Sequence, residues 1–282
     1  MFHYSISIAG ICIRFSFPER IQLPDVFSTF RCSELQKPDF IFTIQLIEKP
    51  LPLPETPVYT GDHMEIYRIN DNWLRVYTPL TGTDGCQVAC LLSATGSNIL
   101  YYPASKWGLY ASAFQPFHLI GAELLLLQHH AFLLHSSVVL YQGKMILFSG
   151  PSGVGKSTQA SLWEHHMGAK VINGDRCVIL QKEDGFYGSG SPWAGTSAIY
   201  HNIQAPIAGI IVLSKGSQNQ IRKLGFEAFS LLFSQTTVNS WDHEFMSKVM
   251  DLYENLFRQV PIYALQCCPD EDAVKLVHNT LF

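Results

Sequence analysis

Charge is scarce in this chain. Asp, Glu, Lys and Arg make up 15% of its 282 residues, against 47% hydrophobic residues. An average soluble domain carries about 25% charged residues. The formal net charge is −4, and no run of basic residues relieves it. The strong positive field that gathers a nucleic acid backbone is therefore missing, and nucleic acid is not an expected partner. Long apolar runs are missing too. The most apolar region, residues 119–140, is broken by Glu123, Gln128, His129, His130 and His135. That is too polar for a membrane span and reads as a core helix leading into a strand. The start, Met1-Phe-His-Tyr-Ser-Ile6, has neither a charged n-region nor a long apolar stretch, so no signal peptide is expected. Paired cysteine is the third absence. The seven cysteines (12, 32, 86, 90, 177, 267 and 268) are odd in number and contain no C-x-x-C. Reduced thiols in a cytoplasmic protein are the expectation. Cys86 and Cys90 lack the second ligand pair that structural zinc needs.

What is present is one dense motif. Gly150, Pro151, Ser152, Gly153, Val154, Gly155, Lys156, Ser157 and Thr158 satisfy G-x-x-x-x-G-K-[ST]. The apolar run Lys144–Ser149 before it reads as a strand, and Gln159–His166 after it reads as a helix. Strand, glycine loop and helix together are the setting this phosphate-binding motif requires. Glycines free the backbone so that successive N–H groups converge on an anion, and the helix N-terminus adds its dipole. Lys156 then supplies a point charge for β- and γ-phosphates. Ser157 supplies a hydroxyl for Mg²⁺. ATP and Mg²⁺ are the expected cofactors.

The length suits one large domain or two modest ones. Residues 1–107 are β-rich: runs such as Tyr4–Ile8, Cys12–Phe17, Phe40–Leu46 and Met64–Ile69 are dense in β-branched and aromatic side chains. Pro50, Pro52, Pro54 and Pro57 make a stiff connector. This half is expected to recognise a substrate, a partner or a second subunit. In residues 108–282 a helix over about 108–132 leads into a strand at Leu133–Leu140, and strands alternate with helices from there on. That alternation around a glycine loop gives an α/β fold.

Several residues are candidates for chemistry. A second metal-organising acid is needed, and Asp175 is placed for it, at the end of the short strand after the loop helix. The competing reading is a turn aspartate in Asn173-Gly174-Asp175. His135, expected at the start of its strand, suits acid–base work, although such a histidine is often a packed turn residue. Arg176 can bind phosphate or pair with a carboxylate. Trp193 and Thr196, in the glycine-rich stretch 188–196, can contact base, substrate or phosphate, or be purely structural.

Taken together, His135-Ser-Ser137, Gly150–Thr158, Asn173-Gly-Asp175 and the loop Gly190-Ser-Pro-Trp-Ala-Gly195 resemble the C-terminal domain of HPr kinase/phosphorylase. That domain is similar in its core to ATP-dependent phosphoenolpyruvate carboxykinase. The resemblance extends to related serine and peptide kinases. It covers about residues 110–282; the first hundred residues do not look like that family's N-terminal domain. It implies a phosphate-loop kinase domain and transfer of the ATP γ-phosphoryl group to a hydroxyl. The implied acceptor is a serine on a small molecule, peptide or protein, with Mg²⁺ present and homo-oligomers a possibility. It assigns His135, Lys156 and Asp175 to the active site. One departure matters. The family carries two adjacent aspartates here, and the first is replaced by Gly174, so an altered or weak catalyst is one expectation. A nucleotide-binding module without catalysis, its β-rich half holding a partner, is a second reading. Carboxykinase-type chemistry is a third, for which no oxaloacetate site stands out.

Overall fold

The computed structural model describes residues 1–77, 88–111 and 118–282. It is a mixed α/β protein with two large sheets, and the chain divides into two compact units, Met1–Leu125 and Leu126–Phe282.

The first unit is built on one eight-stranded sheet. Its strands are β1 (Phe2–Ile8), β2 (Ile11–Phe17), β3 (Phe40–Ile47), β4 (Tyr59–Thr60), β5 (Met64–Ile69), β6 (Asn72–Tyr77), β7 (Val88–Leu92) and β8 (Ser97–Pro103). They run in the order β1-β2-β3-β8-β7-β6-β5-β4. The β5–β6 hairpin turns at Asn70 and Asp71, and Asn70 adopts φ +52°, a conformation Asn tolerates better than most residues. Phe15, Phe17 and Phe42 are fully buried and stack along β2 and β3. Each such ring contributes roughly 1.5–3 kcal/mol by leaving water. Under the same sheet Arg75 forms a buried ion pair with Glu123 at 2.5 Å. Cys90 is buried inside β7, and Cys86 lies outside the described residues.

After the short helix α1 (Asp25–Thr29), the expected helix over 108–132 is instead two short pieces among the described residues, α2 (Trp107–Ala111) and α3 (Ala122–Leu127). Residues 112–117 lie outside the description. No described helix is long and apolar enough to cross a membrane.

The second unit carries β9 (Ala131–Tyr141), β10 (Lys144–Ser149), α4 (Lys156–Met167), β11 (Lys170–Asn173), β12 (Arg176–Lys182), β13 (Gly185–Ser189), β14 (Gln204–Lys215), β15 (Gln220–Lys223), α5 (Ala228–Phe233), α6 (His243–Gln259), β16 (Ile262–Cys267) and α7 (Glu271–Leu281). Pairings run from β9 to β10, β14, β13, β12 and back to β9, closing a circuit. Strands β10, β14 and β16 are parallel, so Ser149, Lys215 and Cys267 finish at one edge. Open α/β sheets collect ligands at that edge. Trp163 of α4, wholly buried, packs with Phe148, Val139, Ile211 and Val277, which fixes α4 on the sheet. Gly168 ends α4 in the left-handed conformation, φ +63°, where a side chain would be strained. On α7, Asp270 caps the first turn by accepting from Ala273 N–H at 3.0 Å.

Two boundaries differ from the expectation. Residue His135 is the fifth residue of β9, deeper in the strand than a start at Leu133 implies: the left-handed turn at His130 (φ +54°) starts the strand at Ala131. The run Ala-Phe-Leu-Leu is apolar enough to suit a helix end or a buried strand, so periodicity did not separate them. Asp175 does not end β11. That strand stops at Asn173, whose side-chain oxygen accepts from the N–H groups of both Asp175 and Arg176 at 2.8 Å. This local turn halts the ladder and leaves Gly174 and Asp175 as a two-residue link.

Candidate functional site

The site is assembled from β10, β9 and the β11–β12 link, all meeting at the edge where β10 ends. Strand β10 passes at Ser149 into Gly150, and the chain turns through Gly155 into α4. Three glycines of this loop have positive φ: Gly150 at +142°, Gly153 at +73° and Gly155 at +114°. Gly150 is also short of room, since a Cβ there would stand 3.2 Å from the carbonyl oxygen of Leu213 and from Val154. Gly155 caps α4 without a side-chain acceptor, so the first-turn N–H groups of the helix are left for the loop interior or a ligand. The Lys156 side chain is buried, 7% exposed, and folds back over the loop. Its Nζ donates to the carbonyls of Gly150 at 2.8 Å and Pro151 at 3.1 Å. Ser157 and Thr158 begin α4 and are exposed, as are Pro151, Ser152 and Gly153; Val154 is half-buried.

Beside the loop, β9 is in register with β10 at Ser136 against Ser149, and with β12 at His135 against Arg176. The β11–β12 link is bound to this strand. Ser136 N–H donates to the Asp175 carbonyl at 2.9 Å, and Ser137 Oγ to the Gly174 carbonyl at 3.0 Å. Ser149 Oγ donates to the carbonyl of His135 at 2.9 Å, which ties the end of β10 to the same point.

The side chains converge. Nδ1 of His135 is 3.0 Å from the carbonyl oxygen of Asp175 and 3.2 Å from its Oδ1. A carbonyl oxygen only accepts, so Nδ1 carries the proton and Nε2 is left with the free lone pair of the neutral ring. Burial pushes the His135 pKa down, the charge of Lys156 pushes it further, and Asp175 pulls the other way. Burial likewise lowers Lys156 against the raising effect of Asp175. Arg176 lies with Nε 3.6 Å from Asp175 Oδ2, and its Nη1 donates to Thr237 Oγ1 at 2.8 Å. His135, Lys156, Asp175 and Arg176 therefore form one electrostatically linked group.

A loop from Ser191 to Tyr200 runs alongside it. Asn173 Nδ2 donates to the Ser191 carbonyl at 2.9 Å, and Ser191 Oγ donates to the Arg176 carbonyl at 2.7 Å. Trp193 is half-buried and joins through its N–H to Ser191 Oγ at 3.3 Å. Gly195 has φ +56°, and a Cβ there would come within 2.9 Å of the Asp175 carboxyl carbon. Thr196 is exposed in the short turn Gly195–Ser197.

Among solved structures the chain is distantly similar to the Hpr(Ser) kinase/phosphatase from Coxiella burnetii. The two align at 14% identity and a TM-score of 0.32, over 52% of this chain and 95% of that one. A likeness at that level fixes neither fold nor function. No family model matches the chain, and no curated protein matches it.

Four residues of the site were not singled out as candidates from sequence: Ser149, Ser191, Ser197 and Thr237. Ser191 lies inside the glycine-rich stretch 188–196, whose candidates from sequence are Trp193 and Thr196, and Ser197 directly follows that stretch. Thr237 stands 61 residues from Arg176 and carries no local signal.

A hard divalent cation fits the donor set. Ser157 offers a hydroxyl and Asp175 a carboxylate, both oxygen donors. Among the described residues no group of three His, Cys, Asp or Glu side chains gathers to hold a metal by itself. Magnesium that arrives with a polyphosphate takes most of its ligands from phosphate and water and needs only one or two carboxylates.

Proposed function

We propose that this protein is an ATP-dependent phosphotransferase of the HPr kinase type, moving the γ-phosphoryl group to a hydroxyl, a serine hydroxyl by preference. The observation that carries the reading is the meeting of Lys156, His135 and Asp175 at the end of a glycine loop that opens a helix. In this reading the amides of residues 150–158 cradle the polyphosphate. Lys156 Nζ leaves two neutral carbonyls for phosphate oxygens, an exchange that charge favours. Ser157 and Asp175 would hold Mg²⁺, which neutralises charge on the phosphates. Asp175 also accepts from His135 Nδ1 and so orients the ring, and Nε2 is the lone pair available to take the acceptor's proton. Arg176 binds an anionic part of the acceptor or of the phosphate. Trp193 and Thr196 border the acceptor, and the β-rich first unit recognises it, a partner or a second copy.

Incubation with γ-labelled ATP, Mg²⁺ and serine-containing small molecules and peptides tests the reading. Label is expected on the acceptor hydroxyl. Tight nucleotide binding without transfer to any acceptor would reject it.

That second outcome is the mark of a non-catalytic nucleotide-binding module. Gly174, which leaves Asp175 as the one carboxylate of the link, favours that alternative. The two readings part at Asp175→Asn: a kinase loses its turnover while nucleotide still binds, more weakly with Mg²⁺, whereas a module has no turnover to lose and shows only the weaker metal-dependent binding.

A further inference from the structure

Gly174 is not needed for its backbone angle, since its φ lies outside the left-handed region. It is needed for space. A Cβ at 174 would stand 2.1 Å from Ser197 Oγ and 2.5 Å from Ser197 Cβ. The place of a side chain at 174 is filled by a serine from another segment. Gly195, two residues before that serine, does the reverse. It leaves room for the Asp175 carboxylate, which a Cβ at 195 would meet at 2.9–3.1 Å. The two segments thus interlock, Ser197 into the gap at 174 and Asp175 into the gap at 195.

The rest of the loop explains why this contact matters. Its ends are tied to β11: Ser191 through Asn173, and His201 through its N–H to the Ile172 carbonyl at 2.9 Å. The turn between them meets the link through the two glycine gaps. Ser197 is itself fixed, donating to the Ala194 carbonyl at 2.6 Å and accepting from Ile199 N–H at 3.3 Å.

We propose that Ser197 is a positioning residue for Asp175: seated in the space of the missing side chain at 174, it clamps the Gly195–Ser197 turn against the Asp175 carboxylate and sets where that carboxylate stands. The proposal rests on the reading of this edge as a phosphotransfer site. It also changes the meaning of Gly174. The glycine is one half of a fitted pair, and adding an acid there does not simply restore a lost group.

A double-mutant cycle between Gly174→Ala and Ser197→Gly tests it. Gly174→Ala alone is expected to lower kcat about 100-fold, the loss that follows a shift of about 1 Å at a reacting centre. Nucleotide Kd should stay within about threefold, because the loop at 150–158 is untouched. In the Ser197→Gly background the same alanine should cost less than about threefold in kcat, since the gap is then open. Ser197→Ala keeps the packing carbon and loses both hydrogen bonds; about a tenfold fall in kcat is expected. Melting temperature is measured on every variant without nucleotide. Gly174→Ala should lower it in the parent and not in the Ser197→Gly protein.

Equal losses from Gly174→Ala in both backgrounds, in kcat and in melting temperature, would overturn the interlock. A cycle that couples in melting temperature while kcat of the folded protein stays level would overturn the positioning role. Should the parent protein transfer phosphate to no acceptor, the functional reading fails on its own terms. The cycle in melting temperature, and in the Mg²⁺ dependence of nucleotide binding, still decides the clamp.

Discussion

Among the described residues each unit buries one basic side chain, and the two are treated differently. Arg75, 4% exposed, faces the carboxylate of Glu123 at 2.5 Å. Lys156, 7% exposed, faces two backbone carbonyls of its own loop. Burial depresses the pKa of both. For Arg75 the Glu123 charge overturns that effect and the pKa ends raised; for Lys156 the charge of Asp175 does not suffice and it ends lowered. A cation answered by a fixed anion is architecture. A cation held by neutral carbonyls gains by exchanging them for an anion, and that is how a binding site is kept ready.

Lys156→Met breaks the comparison most sharply. The methionine fills similar volume and needs no partner, so the fold should survive. Phosphoryl transfer should fall about a thousandfold, the scale seen when a donor to developing charge is removed from a preorganised site. Calorimetry with Mg²⁺ and ATP should show the matching loss of affinity. A variant that binds and transfers as the parent does would leave Lys156 as a buried structural cation like Arg75.

The reciprocal change is Arg75→Met. It removes the buried charge that faces the Glu123 carboxylate and should cost the first unit about 3–5 kcal/mol in denaturant unfolding. Arg75→Met with Glu123→Leu should recover most of it, because the pair offsets its own desolvation rather than adding net stability. Nucleotide affinity should not move in either protein. If it falls with Arg75, the buried pair serves nucleotide binding as well and is not architecture alone.

Much of this contrast is readable in the residues, and the unread part has a physical cause. Gly150, Gly155, Lys156 and Ser157 sit at fixed spacing because one local turn needs them, so sequence alone locates that loop. Asp175 and His135 follow from strand order, which local patterns indicate without setting the register. The position of His135 within β9 is not set by local pattern, because an apolar run suits either a helix end or a buried strand. Ser197 in the space of Gly174, and Thr237 on Arg176, are contacts between segments distant in sequence or hidden in a loop. No periodicity reports them. The pairing of Arg75 with Glu123 across 48 residues was invisible for the same reason.

Gly150→Ala sharpens the comparison at smaller cost. It places a Cβ at φ +142° and 3.2 Å from the Leu213 carbonyl. Strain of that kind costs about 1–3 kcal/mol, and it falls on the loop that must fit phosphate. Affinity for Mg²⁺-ATP should drop roughly tenfold or more, with a lower melting temperature in the second unit. A glycine in an ordinary surface turn, Gly143 at φ +75° with open space around it, provides the control. Gly143→Ala should lower stability modestly and leave affinity alone.

The smallest expected effect is at Thr237. Its hydroxyl accepts from Arg176 Nη1, while Arg176 Nε lies 3.6 Å from Asp175 and 41% of the side chain remains exposed. Arg176 is therefore aimed by two neighbours and still partly exposed, unlike the buried Arg75 and Lys156. Thr237→Val removes one aim without touching the charge. A hydrogen bond of this kind contributes about 1 kcal/mol once solvent competes for it, roughly a fivefold change in an equilibrium. If Arg176 reads an anionic group on the acceptor, acceptor KM should rise by about that factor while kcat and nucleotide affinity hold. If it serves only to pair with Asp175, kcat should fall instead and acceptor KM should stay, because the carboxylate beside His135 loses part of its frame.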